Sequence, residues 1–285
     1  MEASRNVTSN KFATVAKTVV SVLLFIFYMF PFYLVVLNSL KDKRDITKAP
    51  LSFGEKKGLS LANYVEAFDS MNFLKVFTNS LIITGCSVCI IIVLSSMCAY
   101  IFVRRNWKIN SILFTLMLFS MVIPFQVVMI PLISIYGGTF GILNHRATLI
   151  FMHTGFSVSM AVFMFHGFIK GSIPLELEEA AHIDGANIYR TFFTIVLPLL
   201  KPITATLVIL DALALWNDYL LPSLILTDKG LYTIPIAMAL FQGTYSNQLD
   251  LMMAGLVLTM IPIIILYLVL QKYIIAGVVA GAVKG

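Results

Sequence analysis

The sequence predicts an all-α integral membrane protein with six transmembrane helices. Of its 285 residues, 59% are hydrophobic and 12% are charged, and the mean hydropathy is +0.92. An average soluble domain is about a quarter charged, and one soluble core of this size cannot bury so much apolar surface. A lipid bilayer is therefore expected to cover the rest. The 20 basic residues are scattered between apolar runs, which excludes nucleic acid as a partner.

Three spans follow from intervals that lack charged residues, because a charge at mid-bilayer is costly. Their lengths are 23, 28 and 23 residues, and they lie between Lys17 and Lys41, between Lys75 and Arg104, and between Arg146 and Lys170. At about 1.5 Å per residue, each is long enough to cross roughly 30 Å of hydrocarbon.

The other three spans are predicted over about 112–136, 202–226 and 251–271. The first of these ends before a glycine-rich loop, and the second contains two aspartates. The span between Lys17 and Lys41 is expected to bend at Pro31. Its apolar run is too long for a cleaved signal peptide, and no small-residue cleavage site follows it.

Positive charges predict the orientation of the spans. With the N-terminus inside, 11 of the 20 basic residues lie on the inner side. Seven of the remaining nine fall in one loop, Lys41 to Lys75, where five acidic residues accompany them. Without this loop both termini are predicted to be cytoplasmic. The chain then divides into a tail over 1–16, a membrane domain over 17–273 and a tail over 274–285.

No residue pattern indicates covalent, redox or metal chemistry. Cys86, Cys89 and Cys98 lie in one apolar stretch and are interpreted as small apolar helix residues. The four histidines lack metal-ligand spacing, and neither a serine-hydrolase nor a zinc-hydrolase motif is present. We therefore predict no catalytic residue and no metal site.

The loop over 170–201 is predicted to form a short helix–turn–helix. Ser172 is a candidate N-cap of the first helix, which carries a proline and three glutamates in its first turn. Gly185 is placed to end this helix, and Asn187 to cap a second, amphipathic helix that Pro198 breaks. Composition leaves two interpretations open: an interfacial hairpin without a partner, or a docking element.

This loop resembles the EAA loop of binding-protein-dependent ABC importer permeases. The matching residues in the family spacing are Glu179, Ala180, Ala181, Asp184, Gly185, Ile195, Leu197 and Pro198. Further matches cover nearly the whole chain, among them Asn38-Ser39, Asn79-Ser80, Ile123-Pro124 and Trp216-Asn217-Asp218. The C-terminal residues 271–285 are similar to the ending of the second permease subunit in the maltose-type carbohydrate branch.

The resemblance implies the type I ABC importer permease fold and a division of labour between subunits. The sequence has no phosphate-binding loop motif, so this chain is expected to be a non-catalytic subunit without a cofactor of its own. ATP and Mg²⁺ are expected in two cytoplasmic ATP-binding subunits, onto which the EAA loop docks. There Ala180 and Ala181 would permit close packing, Glu179 would supply a carboxylate and Gly185 a tight turn.

The family also implies the remaining partners, the substrate and the location. These are a second permease subunit in a heterodimer, an extracytoplasmic sugar-binding protein near the Lys41–Lys75 loop, a sugar or oligosaccharide substrate, and a prokaryotic cell membrane. The glycine-rich tail over 276–285 is expected either as a mobile strand that reaches the ATPase dimer or as a frayed terminus.

Polar residues within the spans are candidates for the lining of the translocation path. Asp211 and Asp218 lie two helical turns apart and are predicted to share one face of the fifth span, with Asn217 beside them and Gln126 in the third span. Hydrogen bonding between helices is the alternative for Gln126 and Asn217, and packing near the outer interface for Asp218. The two aspartates also permit an ion- or proton-coupled secondary transporter. That function predicts internal repeats, which the sequence lacks.

Overall fold

The computed structural model describes residues 2–54, 58–242 and 248–282, and the elements assigned in these ranges are all helices. The predicted all-α fold class is confirmed. Four of the described helices are long and apolar enough to cross a membrane, and the number is six when each of two bent helix pairs is one span. The chain forms two compact units, which are Met1–Met71 with Leu240–Met260 and Asn72–Ala239 with Ile261–Gly285.

The first unit begins with α1 (Glu2–Ser39), a helix of 38 residues with Pro31 in its interior. Its apolar part, Ala13–Ser39, has a mean hydropathy of 2.5, and none of its most apolar stretch is buried within the described chain. Lipid or a neighbouring subunit must therefore cover this helix. Two short helices follow, α2 (Lys43–Lys48) and α3 (Ala62–Ser70).

The turn after α1 is organised by a buried lysine. Lys41 is 1% exposed, and its Nζ atom donates hydrogen bonds to Asn38 Oδ1 at 3.1 Å and to the carbonyl oxygens of Ala49 at 3.2 Å and Pro50 at 2.9 Å. Burial lowers the pKa of the Lys41 amine, while the Asp45 carboxylate acts in the opposite direction. Lys41 is therefore a structural residue of this turn rather than a solvated loop charge.

The second unit is built around α4 (Phe73–Arg104) and α7 (Arg146–Ser172), which pack along each other. Both were predicted as spans, and both are confirmed as candidate spans. Ile91 of α4 and Phe165 of α7 belong to the fully buried core between them. The inward face of α4 also carries small residues at helical spacing, which let helix backbones approach closely. They are Ser80, Thr84, Ser87, Ser95 and Ala99.

The third span consists of two helices, α5 (Lys108–Ser120) and α6 (Phe125–Ile133), so the prediction of one helix over 112–136 was wrong. A π-helical turn continues α6 to Thr139, and the two parts are bent by 96°. The break contains Ile123-Pro124. Proline lacks an amide hydrogen and disfavours helical backbone at the residue before it, which ends α5 here.

The fifth span is also bent. After α8 (Glu176–Ile183), α9 (Ile188–Leu199) continues through Pro198, where a break was predicted, and the bend of 73° follows Leu199. Helix α10 (Lys201–Trp216) then packs against α4 and α7. It ends at Trp216, ten residues before the end of the predicted fifth span over 202–226.

Three helices complete the described chain: α11 (Leu220–Ile225), α12 (Ile234–Ala239) and α13 (Leu249–Ala282). The candidate span within α13, Leu249–Lys272, confirms the predicted sixth span. Since α13 is helical through Ala282, the expectation of a mobile strand over 276–285 was wrong for 276–282. The alternative, a frayed terminus, stays a prediction. The last three residues lie outside the described residues.

Candidate functional site

The predicted helix–turn–helix is present in α8 and α9. Gly185 has φ +79°, a left-handed conformation that ends α8 as expected. The Asn187 side chain accepts a hydrogen bond from the Arg190 amide at 2.9 Å, which confirms Asn187 as the cap of the second helix. The prediction that Ser172 caps the first helix was wrong. Helix α7 extends through Ser172, and Leu175, which precedes α8, makes no side-chain cap.

The residues of the EAA-like loop differ in exposure. Glu179, Ala180, Asp184, Gly185 and Pro198 are exposed, Ile195 and Leu197 are half-buried, and Ala181 is buried. Large apolar side chains are exposed on the same two helices, and they are Leu177, Ile183, Tyr189 and Phe193. Exposed large apolar side chains grouped on a short helix–turn–helix mark a surface that contacts another protein or the membrane.

The sequence pattern did not single out Glu178, a residue of this loop that makes specific contacts with α4. It is 9% exposed, and its two carboxylate oxygens accept hydrogen bonds from Arg104 Nε and from the Tyr100 hydroxyl, both at 2.7 Å. Two neighbouring residues on a helix point about 100° apart, and here Glu178 faces α4 whereas Glu179 is exposed. That spacing is the signal that could have drawn attention to it.

The two aspartates of the predicted translocation path do not share a helix face. Asp211 lies within α10 and is 9% exposed. Its Oδ2 atom is buried and has no hydrogen-bond partner among the residues that the structure describes. Asp218 lies beyond the end of α10, where its Oδ1 atom accepts from the Leu220 amide at 3.0 Å. The predicted common face was wrong because α10 ends before Asp218.

The Asp218 carboxylate also makes a contact between elements. Its Oδ2 atom lies 3.1 Å from Nε2 of His153, a side chain of α7 that is almost fully buried. Of the other two candidates for the path, Gln126 is exposed on α6, and Asn217 is exposed and donates to the Leu213 carbonyl at 2.8 Å. Their role in the path stays a prediction.

A second polar cluster lies at the start of α4, at the far end from Arg104. Asn79 is fully buried, and its Nδ2 atom donates to the carbonyl oxygens of Gly230 at 3.0 Å and Tyr232 at 2.9 Å. Its Oδ1 atom accepts from Arg146 Nη2 at 2.6 Å. The adjacent Ser80 hydroxyl accepts from the Ile234 amide at 2.9 Å. Asn79-Ser80 therefore holds the segment before α12 against α4.

No group of three or more histidine, cysteine, aspartate or glutamate side chains in the described ranges is arranged to hold a metal ion. The geometry provides a helix–turn–helix with exposed apolar side chains at one end of α4, a polar cluster at its other end and a buried carboxylate within α10.

Comparison with known proteins supplies the family. Residues 91–279 match the family model of the binding-protein-dependent transport system inner membrane component. The chain is 41% identical over 267 residues to a probable starch degradation products transport system permease protein, AmyC, of Thermoanaerobacterium thermosulfurigenes. That match covers 94% of this chain and 96% of AmyC.

A second relative and a solved structure agree with this family. The chain is 40% identical to the melibiose/raffinose/stachyose import permease protein MelC of Bacillus subtilis, over 90% of this chain and 92% of MelC. The fold matches a chain in the crystal structure of a bacterial ABC transporter involved in the import of the acidic polysaccharide alginate. The TM-score is 0.75 at 20% identity, covering 93% of this chain and 97% of that one.

These matches confirm the resemblance, the predicted ABC importer permease fold and the prediction of a multi-pass, non-catalytic membrane subunit. The chain belongs to the family of binding-protein-dependent transport system inner membrane components.

Proposed function

We propose that this chain is one of two permease subunits of an ATP-driven importer of sugars or oligosaccharides. The observation that carries the proposal is its similarity, over at least 90% of each chain, to two permease proteins named for starch degradation products and for melibiose, raffinose and stachyose. The alternative, a secondary transporter that relays ions through Asp211 and Asp218, is not favoured. Those carboxylates do not lie on one helix, and the family transports with a binding protein.

Energy reaches the chain through the loop of α8 and α9. The sequence contains no phosphate-binding loop motif, so two cytoplasmic ATP-binding subunits bind ATP and Mg²⁺. The exposed Glu179, Ala180 and Ile183 form the surface on which such a subunit docks. Closure of the ATPase dimer then turns the pair of permeases from inward-facing to outward-facing.

The remaining partners and the orientation follow from charge and exposure. The distribution of basic residues supports a cytoplasmic location for both termini, and the family supports a prokaryotic cell membrane. An extracytoplasmic sugar-binding protein then reaches the loop between Lys41 and Lys75. The second permease subunit is a different chain, so the pair is a heterodimer. This subunit and lipid together cover the apolar part of α1, which is not buried within the described chain.

The sugar path is formed in part by polar residues of this chain. Asp211 supports this best, because a buried carboxylate oxygen without a hydrogen-bond partner in the described chain is costly unless a ligand, water or neighbouring subunit satisfies it. Sugar hydroxyl groups are suitable donors for it. Gln126, Asn217 and Asp218 are the further candidates, of which Asp218 already has a partner in His153.

The deciding experiment is uptake of labelled oligosaccharides into sealed vesicles that contain this chain, its co-purifying subunits and the binding protein. ATP on the cytoplasmic side is compared with an imposed proton or sodium gradient. We expect ATP-dependent uptake that is independent of either gradient, and the labelled sugar that accumulates identifies the substrate. Uptake driven by a gradient without ATP would contradict the proposal.

Replacing Ile183 by aspartate should weaken binding of the ATP-binding subunits at least tenfold. Ile183 is 86% exposed, and a charge in the apolar centre of an interface is left desolvated and unpaired. Binding is measured by titrating purified ATP-binding subunits onto the permease pair. The control is Ile183→Val, which keeps an apolar side chain and should bind within about twofold of the original. Equal binding by both variants would exclude Ile183 from the docking surface.

Replacing Asp211 by asparagine should lower ATP-driven uptake about tenfold without changing ATPase docking. A hydrogen bond to a charged group contributes about 1.5–3 kcal/mol, and the isosteric amide removes the charge but keeps the volume. Initial uptake rates are measured over a range of sugar concentrations and of pH. The control is Leu210→Ala on the exposed face of the same helix. Full uptake by Asp211→Asn would remove Asp211 from the path.

A further inference from the structure

Glu178 and Glu179 are neighbours on α8 with different surroundings. Glu179 is exposed, whereas Glu178 is 9% exposed and faces α4. Burying a carboxylate costs free energy unless it is paired and hydrogen-bonded. The fold therefore holds Glu178 at this position by specific contacts, which the docking role of Glu179 does not explain.

Those contacts come from one turn of a membrane-spanning helix. Arg104 Nε donates to Glu178 Oε1 at 2.7 Å, and the Tyr100 hydroxyl donates to Oε2 at 2.7 Å. Residues 100 and 104 lie four apart on α4 and so share a face. The Glu178 and Arg104 side chains are 9% and 13% exposed, so solvent screens this ion pair little. Both carboxylate oxygens are thus occupied by α4.

The same turn of α4 holds the two elements on either side of α8. Arg104 Nη2 donates to the carbonyl oxygen of Ile173, directly after the end of α7, at 2.8 Å. The Tyr100 ring packs against Phe192 of α9 with ring centroids 5.2 Å apart. Both arms of the helix–turn–helix and the end of α7 therefore converge on Tyr100 and Arg104.

Directional bonds of this kind fix the position of one helix on another more strictly than apolar packing does. Apolar contacts are non-directional, whereas two charge-assisted or hydroxyl hydrogen bonds fix both distance and orientation. At about 1.5 Å per residue, the 32 residues of α4 extend roughly 48 Å. If α4 moves as one rigid body, displacement of its Arg104 end also displaces the Asn79 cluster near its other end.

We propose that Glu178 is a positioning residue that, with Tyr100 and Arg104, forms a rigid joint between α8 and α4. Helix α8 is the one onto which the ATP-binding subunit docks. This inference rests on the proposed function, because it assigns the route by which movement imposed on α8 by the ATP-binding subunits enters the membrane. Glu179 faces the partner subunit, and Glu178 faces the spans.

The test uses the complete transporter in sealed vesicles and measures sugar molecules imported per ATP hydrolysed. Glu178→Gln keeps the shape and one acceptor but removes the charge that pairs with Arg104. We expect this ratio to fall at least tenfold, while binding of the ATP-binding subunits and their basal ATP hydrolysis stay within about twofold. Glu176→Gln, in the exposed first turn of the same helix, is the matched control and should leave the ratio unchanged.

Two further variants test whether Glu178 acts through its contact with Arg104 or has only a structural role. Arg104→Gln removes both the contact with Glu178 and the bond to the Ile173 carbonyl. The double variant with Glu178→Gln should lose coupling to the same extent as Arg104→Gln alone, because the contact between the two residues is already absent in that variant. Losses that multiply in the double variant would contradict a shared joint. Should Glu178→Gln fail to assemble, Arg104→Lys keeps the positive charge but lacks the fork that reaches both Glu178 and Ile173. Arg104→Lys should import fewer sugar molecules per ATP hydrolysed, and an unchanged ratio would overturn the proposal.

The failure of this inference is distinguishable from failure of the proposed function. If the unsubstituted transporter takes up no sugar with ATP, both proposals are contradicted. If the unsubstituted transporter imports sugar with ATP, and Glu178→Gln imports as many sugar molecules per ATP hydrolysed, only the joint is contradicted.

Discussion

Replacing Gly185 by valine should reduce ATP-driven uptake at least tenfold while the chain still inserts into the membrane. Gly185 has φ +79°, and a β-branched residue in the left-handed region costs about 1–3 kcal/mol of backbone strain. Because about 1.4 kcal/mol is a factor of ten in an equilibrium, the turn would leave its docking conformation in most molecules. Uptake and ATP hydrolysis are measured in the same vesicles, and their ratio should fall.

The matched control for this variant is Gly171→Ala. Gly171 is also exposed and lies in α7 close to the same loop, but it is helical and has no atom within 4 Å of an added Cβ. Alanine is favoured over glycine in a helix, so this variant should transport normally. Normal uptake by Gly185→Val would show that the turn tolerates another conformation, and the docking role of this loop would then have to be abandoned.

Replacing Asn79 by alanine should lower the free energy of unfolding by about 3 kcal/mol, since buried partners left unsatisfied cost about 1–3 kcal/mol each. Asn79 is fully buried, donates to two carbonyl oxygens and accepts from Arg146. Its loss leaves these three groups without the amide that joins them. Thermal unfolding of the purified chain in detergent, followed by tryptophan fluorescence, should show a clearly lower midpoint.

Two comparisons make this prediction specific. Asn79→Asp keeps an acceptor for Arg146 but replaces the two donated bonds by repulsion between carboxylate and carbonyl oxygens, so it should also destabilise. Asn217→Ala removes an exposed asparagine whose side-chain amide donates to the Leu213 carbonyl at its own helix end, and the midpoint of this variant should be unchanged. A midpoint for Asn79→Ala equal to that of Asn217→Ala would contradict a structural role for the cluster.

The membrane class and the main spans could be predicted because they depend on local composition. The uncharged intervals from Lys75 to Arg104 and from Arg146 to Lys170 correspond closely to α4 and α7. A charge in hydrocarbon is costly whatever the tertiary structure, so the positions of charged residues in the sequence indicate where a span begins and ends. The turn between α8 and α9 was predictable for a similar reason, since Gly185 and Asn187 act through their own backbone neighbourhood.

The bends were harder to predict, because proline alone does not fix where a helix breaks. Pro124 lies in the break of the third span, yet Pro31 and Pro198 lie inside helices. A helix tolerates proline when neighbouring groups satisfy the carbonyl that loses its donor. Those neighbours are set by packing, which sequence spacing does not report. The same limit explains why Asp211 and Asp218 were expected on one face.

By itself, the sequence determined that this chain is a helical membrane protein with an EAA-like loop, because hydropathy, helix caps and motif spacing act over a few residues. Only the tertiary structure decided which of two adjacent glutamates faces inward, since Glu178 meets Tyr100 and Arg104 across more than seventy positions of sequence. It likewise decided that Asn79 joins Arg146 to the segment before α12. Polar pairs inside a bundle form only where helices from distant parts of the chain meet, so their partners depend on packing.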